Sequence, residues 1–408
     1  MERYSEYKDS GVQWIGKIPS HWDIIKAKYM WDEVFSFSEN GSEDLLSVSQ
    51  YEGITQAKNE SRSESLKGYK KVAKDNLVIN IMLAWMGGLG VSAYNGIVSP
   101  AYCIYRLKKA SNPQFMHYLY KTPMYLAEFA RHSTGVIPSR WRMYTDDFGQ
   151  VPTLIPPIDE QDKIVSYLDK VTSKIDEAIA QQRKMIDLLD ERKQIIINNA
   201  VTKGLNPHTP MKDSGVKWIG EIPEHWELKQ YRHLFYNLDY LRKPITADLR
   251  SRNNPLYDYY GASGIIDKID HFNVEDKVLL IAEDGANLLL RNLPLIYKAE
   301  GRFWVNNHAH ILKPIKDDYD FLAYVMESAD YTLYITGSAQ PKLSQANLNA
   351  VKLPIPPLHE QLKIVEYIKA KTEGIDFSIY NAKRMLALLQ ERKQIIINDV
   401  VTGKVKVS

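Results

Sequence analysis

KDSGVQWIGKIPSHW, residues 8–22, returns as KDSGVKWIGEIPEHW at residues 212–226, with 12 of the 15 positions the same. A second pair follows: PPIDEQDKIVSYLD (156–169) and LLDERKQIIINNAVT (188–202) return as PPLHEQLKIVEYIK (356–369) and LLQERKQIIINDVVT (388–402). The first pair is offset by 204 residues (22 to 226), the second by 200 (156 to 356). Repetition on this scale makes the chain two half-units in tandem and has to be settled before any local reading. Between the repeated frames lie two blocks of similar length, about 23–155 and 227–355, unlike each other along most of their length.

Each block mixes short β-like runs (77–83 and 97–107; 277–282 and 304–312) with polar turns and a late helix-like stretch (113–132; 318–336). That pattern reads as an α+β globule. After each tandem proline, Pro156-Pro157 and Pro356-Pro357, a long periodic run begins, which suits a helix start. An apolar seam steps by three and four. In copy one it is Leu168, Thr172, Ile175, Ile179, Gln182, Ile186, Leu189, Lys193, Ile196 and Ala200. In copy two it is Ile368, Thr372, Ile375, Ile379, Ala382, Leu386, Leu389, Lys393, Ile396 and Val400. A mean step of 3.5 is a coiled-coil seam, and ~40 residues at ~1.5 Å each give a rod of about 60 Å. Left alone, the stripe would face water. The two copies packing as an antiparallel pair would cover it; docking of each helix on its own globule is the other solution. Gly374, where copy one has Lys174, allows a local bend at a cost of about 1 kcal/mol. The ERKQIII runs carry more isoleucine than one seam needs. They either pack on the neighbouring globule or form a partner socket used twice, through Glu191, Arg192, Ile195 and Ile197 and through Glu391, Arg392, Ile395 and Ile397.

Composition narrows the class. A chain of 408 residues suits two to four domains, and 44% hydrophobic with 25% charged residues is ordinary for a globular protein. The single cysteine, Cys103, excludes an internal disulfide and a cysteine-rich zinc site. The polar start and the glycine-interrupted apolar stretch at 77–93 give no signal peptide and no bilayer span, so a cytoplasmic location is expected. A net charge of +2 is weak for a nucleic-acid binder. Charge segregated onto one face, or a grip supplied by partner subunits, would reconcile the two.

Catalytic motifs are missing. There is no GxxxxGK[ST] loop. Gly87-Gly88-Leu89-Gly90 lacks the strand–GxGxxG–helix context and reads as a tight turn. Asn254-Pro255-Leu256-Tyr257 resembles the Asn-Pro-Pro-aromatic loop of adenine methyltransferases only loosely; without the second proline it reads as a turn. His308 and His310 share a face if they lie in a strand, but no third zinc ligand accompanies them. A duplicated frame around unlike inserts suits two recognition surfaces better than one active site.

The repeated motifs, in this order and twice over, resemble the DNA-specificity subunits of type I restriction–modification enzymes. The SGVxWIGxIPxHW opener is similar to that family's lead-in to each target-recognition domain, and PPIDEQ and PPLHEQ with their helices are similar to its conserved regions. GIVSPAYCIYRL (96–107), STGVIPSRWRMYTDDF (133–148), YYGASGIID (259–267), NNHAHIL (306–312) and GSAQPKLS (337–344) are similar to target-recognition segments. The resemblance implies a first target-recognition domain at 1–155, a first conserved helix at 156–205, a second recognition domain at 206–355 and a second helix at 356–408. The expected fold class is α+β: two globular domains separated by two long helices that form an antiparallel coiled coil, in a pseudo-twofold tandem repeat.

The same resemblance implies a non-catalytic subunit in which each globule reads half of a bipartite, asymmetric DNA target. The helices would set half-site spacing, about 34 Å for one turn of DNA, and dock two methyltransferase subunits. Those would carry S-adenosylmethionine and flip the target adenine. ATP- and magnesium-dependent restriction subunits would join them, and no cofactor or metal is expected in this chain. The alternative is a protein-interaction scaffold that reads no DNA. A self-contained methyltransferase would need S-adenosylmethionine binding by this chain alone, and none is expected.

Base reading draws on Arg, Lys, Asn and Gln forks, and phosphate contacts on basic and hydroxyl groups. In the first block the candidates are Lys67, Tyr69, Lys70 and Lys71 and the cluster Arg140, Trp141, Arg142 and Tyr144 after the Gly135–Pro138 turn. In the second they are Tyr260, Ser263, Asn287, Arg291, His308, Gln340, Lys342 and Ser344. Trp14, Trp22, Trp218 and Trp226 occur in both copies and read as packing residues.

Overall fold

Two helices dominate the computed structural model, which describes residues 2–50, 53–57, 66–137, 140–246, 250, 256–337 and 340–407. They span Ile158–Lys203 (46 residues) and Leu358–Val401 (44 residues). Each starts where the tandem proline ends. Pro157 O accepts from Glu160 N and Gln161 N, and Pro357 O from Glu360 N and Gln361 N. The buried glutamine of each PPxxEQ then turns back, its Nε2 donating to Pro156 O (2.8 Å) or Pro356 O (2.9 Å). The motif is therefore a clamp on the helix start. All ten seam positions in each copy are buried or half-buried, as the 3.5-residue step requires. The second helix runs through Gly374 without a break.

The chain divides into two compact units that cut both helices in mid-length: Met1–Arg183 with Arg384–Ser408, and Lys184–Lys383. Each unit therefore owns the first part of one long helix and the last part of the other. In the first unit, Glu160, at the start of its helix, bonds His21 (2.7 Å), and Gly403, just past the end of the other helix, lies against Trp22. Farther along, Lys393 Nζ reaches Asp176 Oδ1 at 2.6 Å. A start and an end at one corner, with cross-links between, describe antiparallel helices. The second unit repeats this. Glu360 bonds His225 and Trp226 Nε1, Gly204 lies on Trp226, and Lys193 reaches Asp376 at 2.5 Å. Both lysines occupy seam positions, where a polar residue lowers stability but fixes register.

The opener folds as a small hairpin in both units: Tyr7–Asp9 with Lys17–Pro19, and Met211–Asp213 with Glu221–Pro223. Trp22 and Trp226 are fully buried, and Trp14 and Trp218 pack on the cores, as packing residues should. Gly403, at φ +73°, touches the opener so closely that an added Cβ would lie 2.5 Å from Pro19 Cδ; Gly204, at φ +74°, sits likewise against Trp226. In the second unit the linker after the helix runs on into the opener. In the first, the tail from the other helix takes that place, and Lys406 N donates to Glu2 O.

Unlike in sequence, the two globules share a frame. An entering strand pairs antiparallel with the leaving strand: Asp23–Lys26 with Pro152–Ile155, and Glu227–Gln230 with Lys352–Ile355. A 3-10 turn (Ala27–Tyr29; Tyr231–His233) and an edge strand (Trp31–Glu33; Phe235–Asn237) follow. The edge strand pairs with Tyr102–Leu107 or Ala309–Pro314, which pairs with a central strand, Leu77–Asn80 or Val274–Ala282. The first sheet ends with Leu89–Val91. The second goes on through Ile296–Val305 and Tyr257–Gly261 to Gly264–Ile269. The helix-like stretch 113–132 is two helices, Pro113–Tyr120 and Pro123–Arg131, because Pro123 has no N–H to continue the first. The stretch 318–336 is the helix Tyr319–Ser328 and a 3-10 turn. No helix among the described residues is long and apolar enough to cross a membrane. No group of three or more metal-ligating side chains occurs among them.

Candidate nucleic-acid interface

Each globule carries a hairpin loop near its exit. In the first, Thr134 and Arg142 exchange both backbone bonds (2.9 and 2.9 Å); in the second, Thr336 and Lys342 do (2.9 and 2.8 Å). A glycine opens each turn. A Cβ on Gly135 would lie 2.5 Å from Arg140 O, and one on Gly337, at φ +94°, 2.7 Å from Gln340 O. No other residue fits there. The residue after each loop is a buried apolar foot. Met143 N donates to Ile81 O (2.9 Å), and Leu343 N to Glu283 O (2.8 Å). Ile81 and Glu283 follow directly on the two central strands, so both loops sit at the same strand end. Short helices come next, Thr145–Gly149 and Gln345–Ala350.

In the first loop Arg140 is exposed, Trp141 and Arg142 are half-buried and Tyr144 is exposed. The fold thus brings this cluster together on one loop and its flank. Trp141 stacks edge-on with Trp85 (5.3 Å) beside exposed Met82, Leu83 and Met86. Val136, 95% exposed, and Ile137, 48%, form the apolar tip. The sequence reading missed these residues, although two β-branched residues after a turn glycine are the available signal. Pro138 and Ser139 lie outside the described residues. The second cluster is braced differently. Lys70 Nζ donates to Tyr102 O (2.8 Å) and Lys71 pairs with Glu43 (3.0 Å). Bonds from Ser38, the Glu43 backbone and Lys71 hold the Glu43 carboxyl down at about 2. Lys70 and Lys71 thus also brace the fold; Lys67 is exposed and Tyr69 half-buried.

In the second unit the loop gathers Gln340, Lys342 and, from the adjoining strand end, His308. Lys342 Nζ lies 3.3 Å from Glu283 and 3.8 Å from Asp284, and His308 Nδ1 lies 2.9 Å from Asp284. Ser344 caps the following helix through Asn347 N (3.2 Å). Four further candidates separate from this group. Tyr260, 8% exposed, stacks on Phe303 inside a core and is corrected to packing. Asn287 braces a turn through Leu293 N, Leu293 O and Pro294 O. Arg291, a left-handed helix cap at φ +51°, donates to Glu327 O and Ala329 O. Both brace the backbone around them. Ser263 is exposed in a turn of the outer hairpin. Asn254 and Pro255 of the Asn-Pro turn, and Ser338 and Ala339 of the loop, lie outside the described residues.

The family model for the type I restriction modification DNA specificity domain matches residues 223–379. A putative type I restriction enzyme specificity subunit of Haemophilus influenzae is 36% identical over 132 residues, 32% of this chain and 33% of that protein. The MjaVIII specificity subunit of Methanocaldococcus jannaschii is 24% identical, covering 83% of each chain; the putative MjaX specificity subunit of that organism is 22% identical, covering 96% of each. A solved chain from work on complex assembly and conformational transition of the type I R-M system shares the fold. It has a TM-score of 0.66 at 12% identity, with 95% of this chain and 99% of that one covered. The second half of this chain matches that family's domain, and along nearly its whole length the chain is similar to type I restriction–modification specificity subunits.

In this chain the ERKQIII isoleucines divide their labour. Ile197 is 4% exposed beside Trp226 and Ile222, and Ile397 is 7% exposed beside Trp22 and Ile18. Both belong to the cores, so their expected place in a partner socket is corrected. Ile195 (53%) and Ile395 (51%) face outward, as do Glu191, Arg192, Glu391 and Arg392. The outward isoleucines continue a stripe that the sequence reading missed. Met185, Leu188 and Ile195 are exposed, and so are Met385, Leu388 and Ile395 at the same places in the second copy. Steps of three and seven put each trio on one helix face. Glu191 and Ile195 also line a groove of about 850 Å³ with Trp218, Arg291 and Glu327.

Proposed function

We propose that this chain is a non-catalytic specificity subunit and reads a bipartite, asymmetric DNA target, one half through each hairpin loop. One observation carries the reading: the two loops share a seat and a glycine hinge but carry different side chains. The first presents Val136, Ile137, Arg140, Trp141 and Arg142; the second presents Gln340, Pro341 and Lys342. Arginine suits guanine O6 and N7, glutamine suits adenine N6 and N7, and apolar tips suit thymine methyls or a wedge between base steps. Unlike readers on like seats yield an asymmetric target. The low net charge fits a reader whose cations are gathered at loops while its partners supply more of the phosphate grip.

The helices act as the ruler, with Lys193 and Lys393 locking the register. The repeated stripe Met185/Leu188/Ile195 and Met385/Leu388/Ile395 docks two methyltransferase subunits, one on each copy. Those bring S-adenosylmethionine, and restriction subunits bring ATP and magnesium chemistry. The test is an exchange of residues 23–155 for those of another specificity subunit, followed by methylation mapping. One half of the methylated motif should change and the other stay. A change in both halves, or in neither, refutes the modular reading. A random DNA pool that yields no motif, with methyltransferase partners present, favours a protein-interaction scaffold instead.

A further inference from the structure

His310, on the strand Ala309–Pro314, is 1% exposed, and both its ring nitrogens meet acceptors. Nδ1 lies 2.6 Å from Asp239 Oδ2, and Nε2 lies 2.8 Å from Leu343 O. We infer that His310 is the positioning residue of the second unit's reading loop, tying the loop's foot at Leu343 to Asp239, so that reading by this unit, and not by the first, is lost when the ring is removed.

The surroundings hold this bridge in place. Asp239, from the 3-10 turn Asp239–Leu241, accepts from Ile311 N with its other oxygen (2.8 Å). Burial would push its carboxyl up, but the His310 bond and charge, the Ile311 N–H and Arg242 together hold it below the usual range. The other charged groups around the ring are Arg242 after that turn, Glu283 at the central strand end and Lys342 on the loop. Arg242 pairs with Glu283 (2.7 Å) and Asp239 (3.5 Å), and Lys342 with Glu283 and Asp284. Three carboxylates thus surround Arg242, Lys342 and His310. Asp284 also contacts exposed His308, on the solvent side.

What His310 holds is the foot of the hairpin. Leu343 is fully buried, gives its N–H to Glu283 O and receives His310 on its carbonyl. A buried carbonyl stripped of its donor is costly, so loss of the ring loosens the loop at its base. The first unit is an internal control. There Cys103 faces Ile79 across the sheet as His310 faces Ile281, two residues before Ile81 and Glu283 respectively. Cys103 accepts from Thr145 Oγ1 at 3.7 Å, and burial pushes its thiol up, so at the matching position the first unit has a thiol in place of the histidine bridge.

The inference rests on the reading role proposed for the loop, and two measurements on the full chain separate them. The first uses no DNA. Hydrogen exchange over residues 336–348 should accelerate more than tenfold, relative to 134–148, in His310→Phe, and His310→Gln, which keeps an N–H donor, should restore most of the protection. The second measurement selects binders from a random duplex pool with methyltransferase partners present. Preference in one half of the motif should fall about tenfold in His310→Phe and recover in His310→Gln, and the other half should persist. If His310→Phe fails to fold, Asp239→Asn, which weakens the grip from its other side, gives the same comparison. Loop protection in these variants equal to the parent's, or equal loss in both halves, would overturn the inference. A pool with no motif in either half, beside the expected loop exchange, sinks the reading role and leaves the grip standing.

Discussion

Replacing Ile397 and Ile395 separately by alanine distinguishes core from docking residue within one helical turn. Ile397 is 7% exposed in the core with Trp22; Ile395 is 51% exposed. Ile397→Ala removes three buried carbons at ~0.8 kcal/mol each and leaves a cavity, for a total of about 2–5 kcal/mol. In a unit of about 200 residues, each kcal/mol moves the melting temperature by roughly 2–4 °C, so a drop of about 5–15 °C is expected. Ile395→Ala should stay within about 0.5 kcal/mol of the parent. Partner affinity should behave the other way, Ile395→Ala weakening methyltransferase binding about tenfold, or about 1.4 kcal/mol. The assay is a thermal melt with hydrogen exchange read by unit, because one melting point does not describe two units. Exchange should quicken in the first unit for Ile397→Ala and in the second for Ile197→Ala. If Ile395→Ala melts as early as Ile397→Ala, or Ile397→Ala melts like the parent and loses the partner instead, the division is wrong.

Lys342→Ala should weaken DNA binding; a salt slope shallower by about 0.9 marks a phosphate contact, and unchanged affinity removes Lys342 from the interface. Val136→Asp with Ile137→Asp should abolish preference in the first half-site while the melting temperature moves by less than about 2 °C, since both side chains are solvent-exposed; retained preference would show that the tip does not enter DNA. His117 is half-buried with Nδ1 accepting from Val91 N (3.1 Å), and desolvation, then Lys121, brings it down to about 4. A depressed histidine stabilises the fold fully above its unfolded value, ~6.5. That contribution, on the order of 3 kcal/mol, is lost as the pH falls toward 4, because the unfolded chain takes the proton first. His117→Gln should flatten the first unit's acid sensitivity over that window, and an unchanged acid profile would refute it.

The frame was legible because its signals are local and duplicated. The tandem proline, the glutamine that turns back on it and the 3.5-residue seam each act within a few residues, and repetition separated them from chance. The proposed readers were legible only in part. Arg140, Trp141, Arg142, Gln340 and Lys342 came from composition, and the fold gathers each set at a strand end. Tyr260, Arg291, Lys70 and Lys71 have equally suitable chemistry but engage rings, carbonyls and carboxylates far away in sequence, and Asn287 engages a turn six and seven positions on. Lys70 reaches Tyr102, 32 positions on, and Arg291 reaches Ala329, 38 positions on. Residue type cannot distinguish a free donor from one already satisfied.

By itself the sequence determined the duplication, the two helices, their seam and the family they point to, since each is written in short-range pattern. Tertiary structure alone decided that each unit is completed by the far end of the other long helix, so that Ile397 belongs to the core around Trp22 and Ile197 to that around Trp226. It also decided that two unlike inserts seat their loops on the same strand end, and that His310 has an acceptor at each nitrogen. The physical reason is common to all three. Burial and hydrogen-bond satisfaction depend on which distant backbone and side chains arrive at a point, and no local pattern encodes that arrival.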